Sequence, residues 1–332
     1  MHPLILPGGA SIPSPAFDLS LLASELDSRV TFARASGATD ALYTDASGAT
    51  YNTFLTDAAR VSASRGLLME EARTNRLLNS TVPVTQTTAS LATGIYALSV
   101  NGSGSAAVTV GTATITGLTG AASNGTYATF TVSVTGTVTV TKTGSLNWFQ
   151  LEAGAFPTSL IVTDGAVATR AVDTATALTS GWYLAGAGAS LLGEWTPLVQ
   201  TLTTSGRILD VGDGTTNNNR LTIGQETSSG TGQSSVRDAS TAVTSSSLVT
   251  FMAGNVVRSG MTHQKGGAIQ GFMNGVSGPP VSSGLFIDAS QTKIGVGCPS
   301  SGGATRPNAF VRRLAYWPVV LPADVMRRIT SR

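Results

Sequence analysis

The chain has 332 residues, of which 41% are hydrophobic and only 11% are charged, and its net charge is +2. Soluble domains usually carry roughly 25% charged residues, and long helices place many of them on their outer faces. Gly, Ser, Thr and Ala take their place here, so the composition favours β-strands joined by short turns. No block of Lys or Arg stands out, which argues against a nucleic-acid partner.

The thiol content and the apolar segments bear on where the protein works. A single cysteine, Cys298, cannot form an intrachain disulfide. The N-terminal apolar run is broken by Pro3 and Pro7 and lacks the basic start and long apolar core of a signal peptide. No segment reaches the roughly 18–20 apolar residues of a membrane helix. We therefore expect a protein made in the cytoplasm without a signal peptide or membrane insertion, and released by lysis.

Residues 1–80 mix short strand patterns with charged corners. Val30–Arg34 alternates like a strand, and the turn Asp45–Gly48 predicts a hairpin. Asp18–Leu26 fits a short helix or an edge strand. Arg65–Leu78 fits a helix or two strands around a charged corner, and periodicity alone does not decide between them.

Residues 81–175 change abruptly to an alternation of apolar residues with Thr and Ser. Ala107–Gly117 and Tyr127–Thr141 show it almost strictly, which is the pattern of half-buried antiparallel strands. Trp148 and Phe149 open a last strand. The region is predicted to be one small β-sandwich.

Residues 176–332 form a second β-rich block of the size of a lectin-like sandwich. Pro322 opens a short terminal helix with Asp324 near its positive end. The Ser/Gly/Thr-rich stretch Thr227–Ser235 is predicted to be an exposed loop. Turn residues separate seven candidate strands: Ser190–Trp195, Arg207–Val211, Arg220–Gln225, Leu248–Ala253, Ala268–Met273, Lys293–Val296 and Ala309–Trp317.

Asp210 and Asp213 are the most notable acidic residues, because Asn217, Asn218 and Asn219 follow them closely. Oxygen-rich loops of this kind can hold Ca²⁺ or contact a sugar. Asp-Gly and Asn-Asn are also frequent turn formers, and the turn is the favoured interpretation.

Exposed aromatic rings commonly serve as platforms for sugars. Trp182-Tyr183 and Tyr316-Trp317 are the candidate glycan contacts. Adjacent residues of a strand point to opposite faces, so one member of each pair is expected in the core.

The other reactive side chains offer little chemistry. His2 and His263 lack partners at metal-ligand spacing, and a structural role is expected for His263. Cys298 has no basic neighbour in sequence and is expected to be a small buried side chain. The adjacent Glu70 and Glu71 are expected to point to different sides, so no carboxylate pair for glycan hydrolysis is evident.

Three segments of the first half stand out by their order and spacing: Arg29–Thr39 with Tyr43–Gly48, Arg65–Asn79, and Gln150–Ser159 running to Thr169–Asp173. Together they resemble a family of phage and prophage virion proteins described as tail-fibre, head-fibre or carbohydrate-binding. The resemblance implies that residues 1–80 dock on the virion and that residues 81–175 are a carbohydrate-binding-module-like sandwich. The short middle region is poor in aromatic residues, so a spacer or trimerisation role stays open for it.

Pieces of the second half, Gly271–Gly275, Lys293–Gly297 and Val311–Pro318, resemble laminin-G/concanavalin-A-like sandwiches. The combined expectation is an all-β protein with two antiparallel β-sandwiches of jelly-roll or lectin-like type, preceded by a small docking region.

We therefore expect a non-enzymatic phage fibre or adhesin on the virion surface. Its N-terminal region would contact other virion proteins, and its C-terminal sandwich would bind host surface polysaccharide. A homo-oligomer is expected, a trimer by analogy with virion fibres. The alternative is a capsid head-fibre or decoration protein with a structural role. A polysaccharide depolymerase is less favoured, because it needs an acidic pair, for which Asp210 with Asp213 is the only tempting place.

Overall fold

The structure is a computed structural model that describes residues 12–45, 50–184, 186, 188–200, 202, 204–216, 218–226, 230–238, 241–285, 291–303 and 305–331. Within these residues the chain forms 28 β-strands and one short helix, which confirms the all-β prediction. No helix in this part of the chain is long and apolar enough to cross a membrane.

The first fifteen strands, in chain order, are: β1 (Phe17–Ser20), β2 (Val30–Ala33), β3 (Ala38–Thr39), β4 (Thr53–Phe54), β5 (Val61–Ser62), β6 (Gly66–Met69), β7 (Arg73–Asn75), β8 (Gln86–Thr87), β9 (Gly94–Gly102), β10 (Ser105–Val110), β11 (Thr114–Thr116), β12 (Ala122–Ser123), β13 (Ala128–Val134), β14 (Val138–Thr143) and β15 (Leu146–Ala153).

The remaining elements are: β16 (Ala168–Arg170), β17 (Thr174–Leu178), β18 (Gly188–Pro197), β19 (Gly206–Gly212), β20 (Arg220–Gln225), β21 (Thr231–Asp238), β22 (Thr241–Thr250), β23 (Val257–Gln264), β24 (Ala268–Met273), β25 (Val276–Ser277), β26 (Val281–Ser282), β27 (Lys293–Val296), β28 (Ala309–Trp317) and α1 (Ala323–Thr330).

The chain divides into two compact units whose segments alternate along the sequence. Unit 1 contains the chain up to Phe32, Val61–Glu71, and the chain from Asp173 onward, whereas unit 2 contains Ala33–Arg60 and Ala72–Val172.

The expected separate region of residues 1–80 does not correspond to either unit. Strand β1 pairs with β28 through Phe17 opposite Tyr316, and β6 pairs with β28 through Leu67 opposite Val311. Two segments of the first 80 residues therefore belong to the sheet that contains β28, a strand near the C-terminal end of the chain.

Unit 2 contains the predicted small sandwich. Two four-stranded antiparallel sheets, β12-β10-β14-β8 and β11-β13-β9-β15, enclose one apolar cluster that includes Leu98, Phe130, Val140 and Phe149. The alternating stretch 107–117 divides at Gly111 into β10 and β11, which belong to different sheets. The inward residues of both sheets bury the apolar half of the alternation, as the pattern predicts.

Unit 1 contains a larger sandwich. Its nine-stranded sheet has the path β25-β24-β23-β18-β28-β6-β5, with β1 beside β28 and β26 beside β24. Its seven-stranded sheet has the order β2-β17-β27-β19-β20-β21-β22. The two sheets face each other closely, because a Cβ added at Gly193 of β18 would lie 2.9 Å from Cγ2 of Ile208.

The helix α1 covers the other face of the nine-stranded sheet. It follows Pro322 and carries Asp324 in its first turn, as the sequence predicts. Its Met326 belongs to a buried cluster with Phe272 and Trp317. A Cβ at Gly260 of β23 would lie 2.7 Å from Cε of Met326, so glycine permits this close contact.

Several open or wrong interpretations are settled by these elements. Arg65–Leu78 forms the two strands β6 and β7, and Asp18–Leu26 contributes to strand β1. The prediction that Thr227–Ser235 is a loop is wrong for its described residues from Thr231 onward, since they open β21. Gly232, Ser234 and Val236 form the buried face of β21. This face has too few apolar side chains for the strand to be recognised from the composition.

The hairpin predicted around residues 45–48 is present in a different register. Ala38 and Thr39 of β3 pair with Phe54 and Thr53 of β4. Residues 46–49, the centre of the predicted turn, lie outside the described residues.

Candidate functional site

The predicted aromatic candidates come together in unit 1. Trp182 stacks on Phe17 with ring centroids 4.4 Å apart, and it meets Tyr183 and Tyr316 edge-on at 6.2 and 5.2 Å. The polar group of Trp182 is bonded within the protein, since its indole Nε1 donates to the Leu178 carbonyl at 2.8 Å. The cluster thus fixes the segment between β17 and β18.

The accessibility of these rings differs from the expectation that each pair has one member in the core. Tyr316 and Trp317 are 1% and 4% exposed, so neither offers a face to a sugar. The reason is that β28 is central: Tyr316 lies under the aromatic cluster, while Trp317 lies under α1. Burial also raises the pKa of Tyr316 to about 12. Trp182 and Tyr183 are half-buried and keep part of their surface accessible.

The proposed calcium ligand Asp210 is a buried acceptor on β19. Its Oδ2 accepts a hydrogen bond from Arg207 Nη1 at 2.8 Å and from Thr222 Oγ1 at 3.1 Å. Its Oδ1 accepts from Ser300 Oγ at 2.7 Å. Because donors surround this carboxylate, a Ca²⁺ site at Asp210 and Asp213 is not what the geometry supports.

Asp213, Asn218 and Asn219 lie between β19 and β20, in agreement with the favoured turn interpretation. Oδ1 of Asp213 accepts the backbone N–H groups of Thr215 and Thr216 at 2.8 and 2.7 Å. Asn218 is exposed, Asn219 has a positive φ of 50°, and Asn217 lies outside the described residues.

The other singled-out side chains are buried. Cys298 lies in the core, its Sγ donates to the Ala175 carbonyl at 3.1 Å, and burial raises the pKa of its thiol. His263 is 3% exposed on β23, and burial lowers its pKa. Glu70 is also fully buried, and its backbone N–H donates to Asp173 Oδ2 at 2.8 Å. Among the described residues, no group of three His, Cys, Asp or Glu side chains is placed to hold a metal ion.

A pocket that the sequence analysis missed lies on the seven-stranded sheet of unit 1. It has a volume of about 240 Å³ and is formed mainly by β19, β20, β21 and β22, on the face opposite the apolar core. We call it the arginine pocket, after its principal lining residues: Arg207, Arg220, Thr222, Gln233, Ser235 and Arg237.

Register explains why these side chains converge. Arg220 lies opposite Arg237, Thr222 opposite Ser235, and Gly224 opposite Gln233 in the antiparallel pair β20–β21. Alternate residues of a strand point to the same face, so the three outward positions of each strand line one surface. The intervening Leu221, Ile223 and Val236 are buried in the sandwich core.

The pocket carries more positive than negative charge. Asp210 lies within 2.8 Å of Arg207 and within 3.8 Å of Arg220 through its Oδ2. Burial, followed by the like charges of Arg207 and Arg237, lowers the pKa of Arg220 to about 10 although Asp210 opposes this. The Nε atom of Arg237 is buried and has no hydrogen-bond partner among the described residues.

A larger pocket of about 330 Å³ lies in unit 2 beside β3 and β16. Much of its lining is Gly37, Ala38, Phe54 and other residues with few side-chain donors. Arg170, which borders it, donates to Ser159 Oγ at 3.0 Å and to Thr158 Oγ1 at 3.2 Å. The arginine pocket offers the richer set of groups for a polar ligand.

The segments that carry the family resemblance meet in a buried polar network of unit 2. Asn75 of the second segment donates through Nδ2 to the Ile161 carbonyl at 2.9 Å. Its Oδ1 accepts the backbone N–H groups of Leu77 and Leu151, each at 3.1 Å. One side chain therefore ties the second segment to the strand that opens the third.

Glu152 continues this network in the third segment. Its carboxylate accepts from Thr158 N at 2.8 Å and from Thr158 Oγ1 at 2.6 Å. Burial raises the pKa of Glu152, while Thr158 and the nearby Arg170 oppose the shift. These contacts fix the loop after β15, so the resembling residues have a structural role that the fold accounts for.

No family model matches the chain, and no curated protein matches it. Among solved structures, it is similar to the CBM40 module of the Ruminococcus gnavus IT-sialidase, bound to α2,3-sialyllactose. The identity is 15%, the match covers 43% of this chain and 83% of that chain, and the TM-score is 0.37.

Two other solved structures are similar at the same level. The NanB sialidase of Streptococcus pneumoniae is 13% identical over 46% of this chain and 26% of that chain, with a TM-score of 0.38. Domain 4 of AbnA, a GH43 extracellular arabinanase from Geobacillus stearothermophilus, in complex with arabinotriose, is 10% identical over 48% of this chain and 73% of that chain, with a TM-score of 0.40. Similarities this weak do not assign a ligand to this chain.

Proposed function

We propose that the chain is a phage virion surface protein, a fibre or adhesin, that binds polysaccharide on the host cell. The virion part is supported by the resemblance of its three N-terminal segments to phage fibre proteins. The observation that carries the binding part is the arginine pocket, a concave polar surface on the face of a β-sandwich sheet.

The pocket supplies the groups that a sugar needs. Hydroxyl groups of a sugar ring both donate and accept hydrogen bonds, and Thr222, Ser235 and Thr244 match them with side-chain hydroxyls. Gln233 adds an amide, and the guanidinium groups add charged donors. The strands hold these side chains at fixed spacing, which favours binding over a mobile loop surface.

We propose binding without cleavage. Glycoside hydrolysis generally uses two carboxylates that flank the scissile bond. No Asp or Glu lines the pocket among the described residues, and Asp210, the buried carboxylate beside it, accepts hydrogen bonds from Arg207, Thr222 and Ser300. This role in holding the pocket does not leave it free as a general acid or a nucleophile.

A small pocket binds a single sugar residue weakly, so we propose that the particle carries several copies of the protein. Linked copies raise the effective affinity for a repetitive polysaccharide without new contacts. A trimer attached to other virion proteins through the N-terminal region is the arrangement expected by analogy with virion fibres.

The test is to incubate the purified protein with intact host cells and with a strain deficient in capsule or lipopolysaccharide. The proposal predicts binding to intact cells and its loss on the deficient strain. Equal binding to both strains, or binding to neither, would contradict it.

A second candidate function, decoration of the capsid, is favoured by one feature of unit 2. The exposed strands of its sandwich carry threonines that bond to each other, such as Thr87 with Thr139 at 2.9 Å and Thr112 with Thr137 at 3.2 Å. Such a surface suits a coat that binds no sugar. Antibody labelling of particles separates the two functions, because labelled capsomers favour decoration and labelled tail tips favour the adhesin.

A further inference from the structure

The arginine pocket holds an unbalanced set of charges. Arg207, Arg220 and Arg237 line it with three guanidinium groups, and the buried carboxylate of Asp210, which does not itself line the pocket, is the anion beside two of them. That carboxylate lies near Arg207 and Arg220, at 2.8 and 3.8 Å. It therefore cannot neutralise the pocket, and Arg237 has no ion pair among the described residues.

The register of the sheet brings these charges together at a cost in stability. Arg220 and Arg237 are direct partners across β20 and β21. Like charges directly opposite each other in an antiparallel pair destabilise the sheet. Departures from the locally favourable choice concentrate where a protein binds or reacts. An anionic group in the pocket would remove this repulsion.

We infer that the arginine pocket binds the carboxylate of an acidic sugar, a proposal that rests on the proposed glycan-binding function. A guanidinium group presents a planar fork of N–H donors that matches the two oxygens of a carboxylate. Arg237 and Arg220 supply such forks from adjacent strands. Thr222, Ser235 and Gln233 lie on the same face to bind the ring hydroxyls.

The size of the pocket limits the ligand. Sites for small molecules usually have volumes of roughly 300–1,000 Å³, and this pocket has about 240 Å³. It therefore accommodates a single acidic sugar residue, such as a uronic acid at a chain end or on a side branch, and the rest of the polysaccharide stays outside.

The experiment uses the polysaccharide extracted from the host surface, before and after chemical reduction of its carboxyl groups to alcohols. Isothermal titration calorimetry with the full-length protein is expected to show binding to the native form. Reduction of the carboxyl groups is expected to weaken binding by about 10–100-fold, as for loss of a hydrogen bond to a charged group. Equal affinity for both forms would overturn the inference.

The matched variants are Arg237→Gln and Arg328→Gln. Arg237→Gln is expected to lose about 10–100-fold in affinity for the native polysaccharide. It is also expected to bind the native and the carboxyl-reduced polysaccharide with equal affinity. Arg328→Gln removes the same charge from the exposed surface of α1, where its side chain lies 3.9 Å from Asp324 and forms no other ion pair among the described residues, and it is expected to bind like the wild type. Equal losses in both variants would mean that net charge acts, not the pocket.

Two further measurements keep the result interpretable. Thermal unfolding is expected to show Arg237→Gln at least as stable as the wild type, and Arg237→Lys, which keeps the charge but not the fork, is expected to bind with intermediate affinity. Cell binding that survives in Arg237→Gln and depends on a neutral polysaccharide would leave the proposed function standing and overturn this inference. Stronger binding to sulfated or phosphorylated sugars than to carboxylated ones would also overturn it.

Discussion

Asp210 shows how one buried carboxylate organises a site on a sheet. It is fully buried and accepts hydrogen bonds from side chains of β19, β20 and the segment after β27, through Arg207, Thr222 and Ser300. Replacing it leaves two arginines without their anion, and removing one partner of a buried pair usually costs several kcal/mol.

Asp210→Asn is therefore expected to lower the free energy of unfolding by about 3–5 kcal/mol. Urea denaturation followed by circular dichroism measures the change. Asp213→Asn is the matched control, since Asp213 only caps the β19–β20 turn and its loss is expected to cost about 1 kcal/mol or less. Equal effects of the two substitutions would show that Asp210 does not organise the pocket.

Asn75 has the corresponding role in unit 2, where one amide joins three backbone groups. Asn75→Ala leaves the Ile161 carbonyl and the N–H groups of Leu77 and Leu151 without this partner. The expected loss is about 2–5 kcal/mol of unfolding free energy, because unsatisfied buried groups cost roughly 1–3 kcal/mol each. Asn255→Ala is the control, because Asn255 is exposed and its side chain makes no hydrogen bond among the described residues, and a loss as large there would contradict the structural role of Asn75.

Among single residues, the sequence predicted the ones whose environment is local. The turn at Asp213 follows from its neighbours, and the burial of Cys298 was expected because it has no basic neighbour in sequence. The arginine pocket was not predictable, because Arg207, Arg220 and Arg237 are 13 and 17 residues apart and only strand register brings them together. The alternation of Gln233, Ser235 and Arg237 on one side of β21 was the available signal.

At the scale of elements, an ion-pair set links the central strands of the nine-stranded sheet. Glu194 of β18 accepts from Arg258 Nε at 2.7 Å and from Arg312 Nε at 3.1 Å. Burial by itself raises the pKa of Glu194, but the hydrogen bonds from the two arginines outweigh it and hold the pKa below its usual value. Stability from this set is present above the unfolded pKa and is lost as the pH falls through the folded one.

The wild type is therefore expected to lose more unfolding free energy than Glu194→Gln when the pH falls from about 5 to about 3. Denaturant titrations across this range measure the difference. Glu25→Gln removes an exposed carboxylate that makes no hydrogen bond or ion pair among the described residues, and it is expected to follow the wild type. A Glu194→Gln profile parallel to that of the wild type would contradict the assignment.

Element prediction succeeded where a strand carries large apolar side chains. β20, β24, β27 and β28 have the predicted bounds, because their inward residues are large and apolar. β21 was missed, since Gly232 and Ser234 face the core where the opposite sheet approaches closely. A Cβ at Gly232 would lie 2.9 Å from Sδ of Met273, so tertiary packing, not propensity, sets the residue there.

At the scale of the whole molecule, the order of the chain differs from the order of the units. The composition changes near residues 80 and 175, and the two four-stranded sheets of unit 2, from β8 to β15, lie between these positions. The sequence does not show that β1, β2, β5 and β6 belong to the C-terminal sandwich, because strand pairing at such separation has no local signature.

A fragment of residues 176–332 is consequently expected not to fold cooperatively. It lacks β6, whose Leu67, Leu68 and Met69 are fully buried, and it leaves the side of β28 that pairs with β6 and β1 open. Thermal unfolding monitored by near-ultraviolet circular dichroism tests this against the full-length chain. A fragment with a sharp transition at the full-length midpoint would contradict the described pairing.

The measurement that tests glycan binding by the unit 1 sandwich most directly is hydrogen–deuterium exchange of the full-length protein, with and without saturating host surface polysaccharide. Slower exchange is expected in β19–β22, the strands that form the arginine pocket, and no change is expected in the unit 2 strands β8–β15. Slower exchange confined to unit 2, or no change in either unit while the polysaccharide is bound, would contradict binding by the unit 1 sandwich.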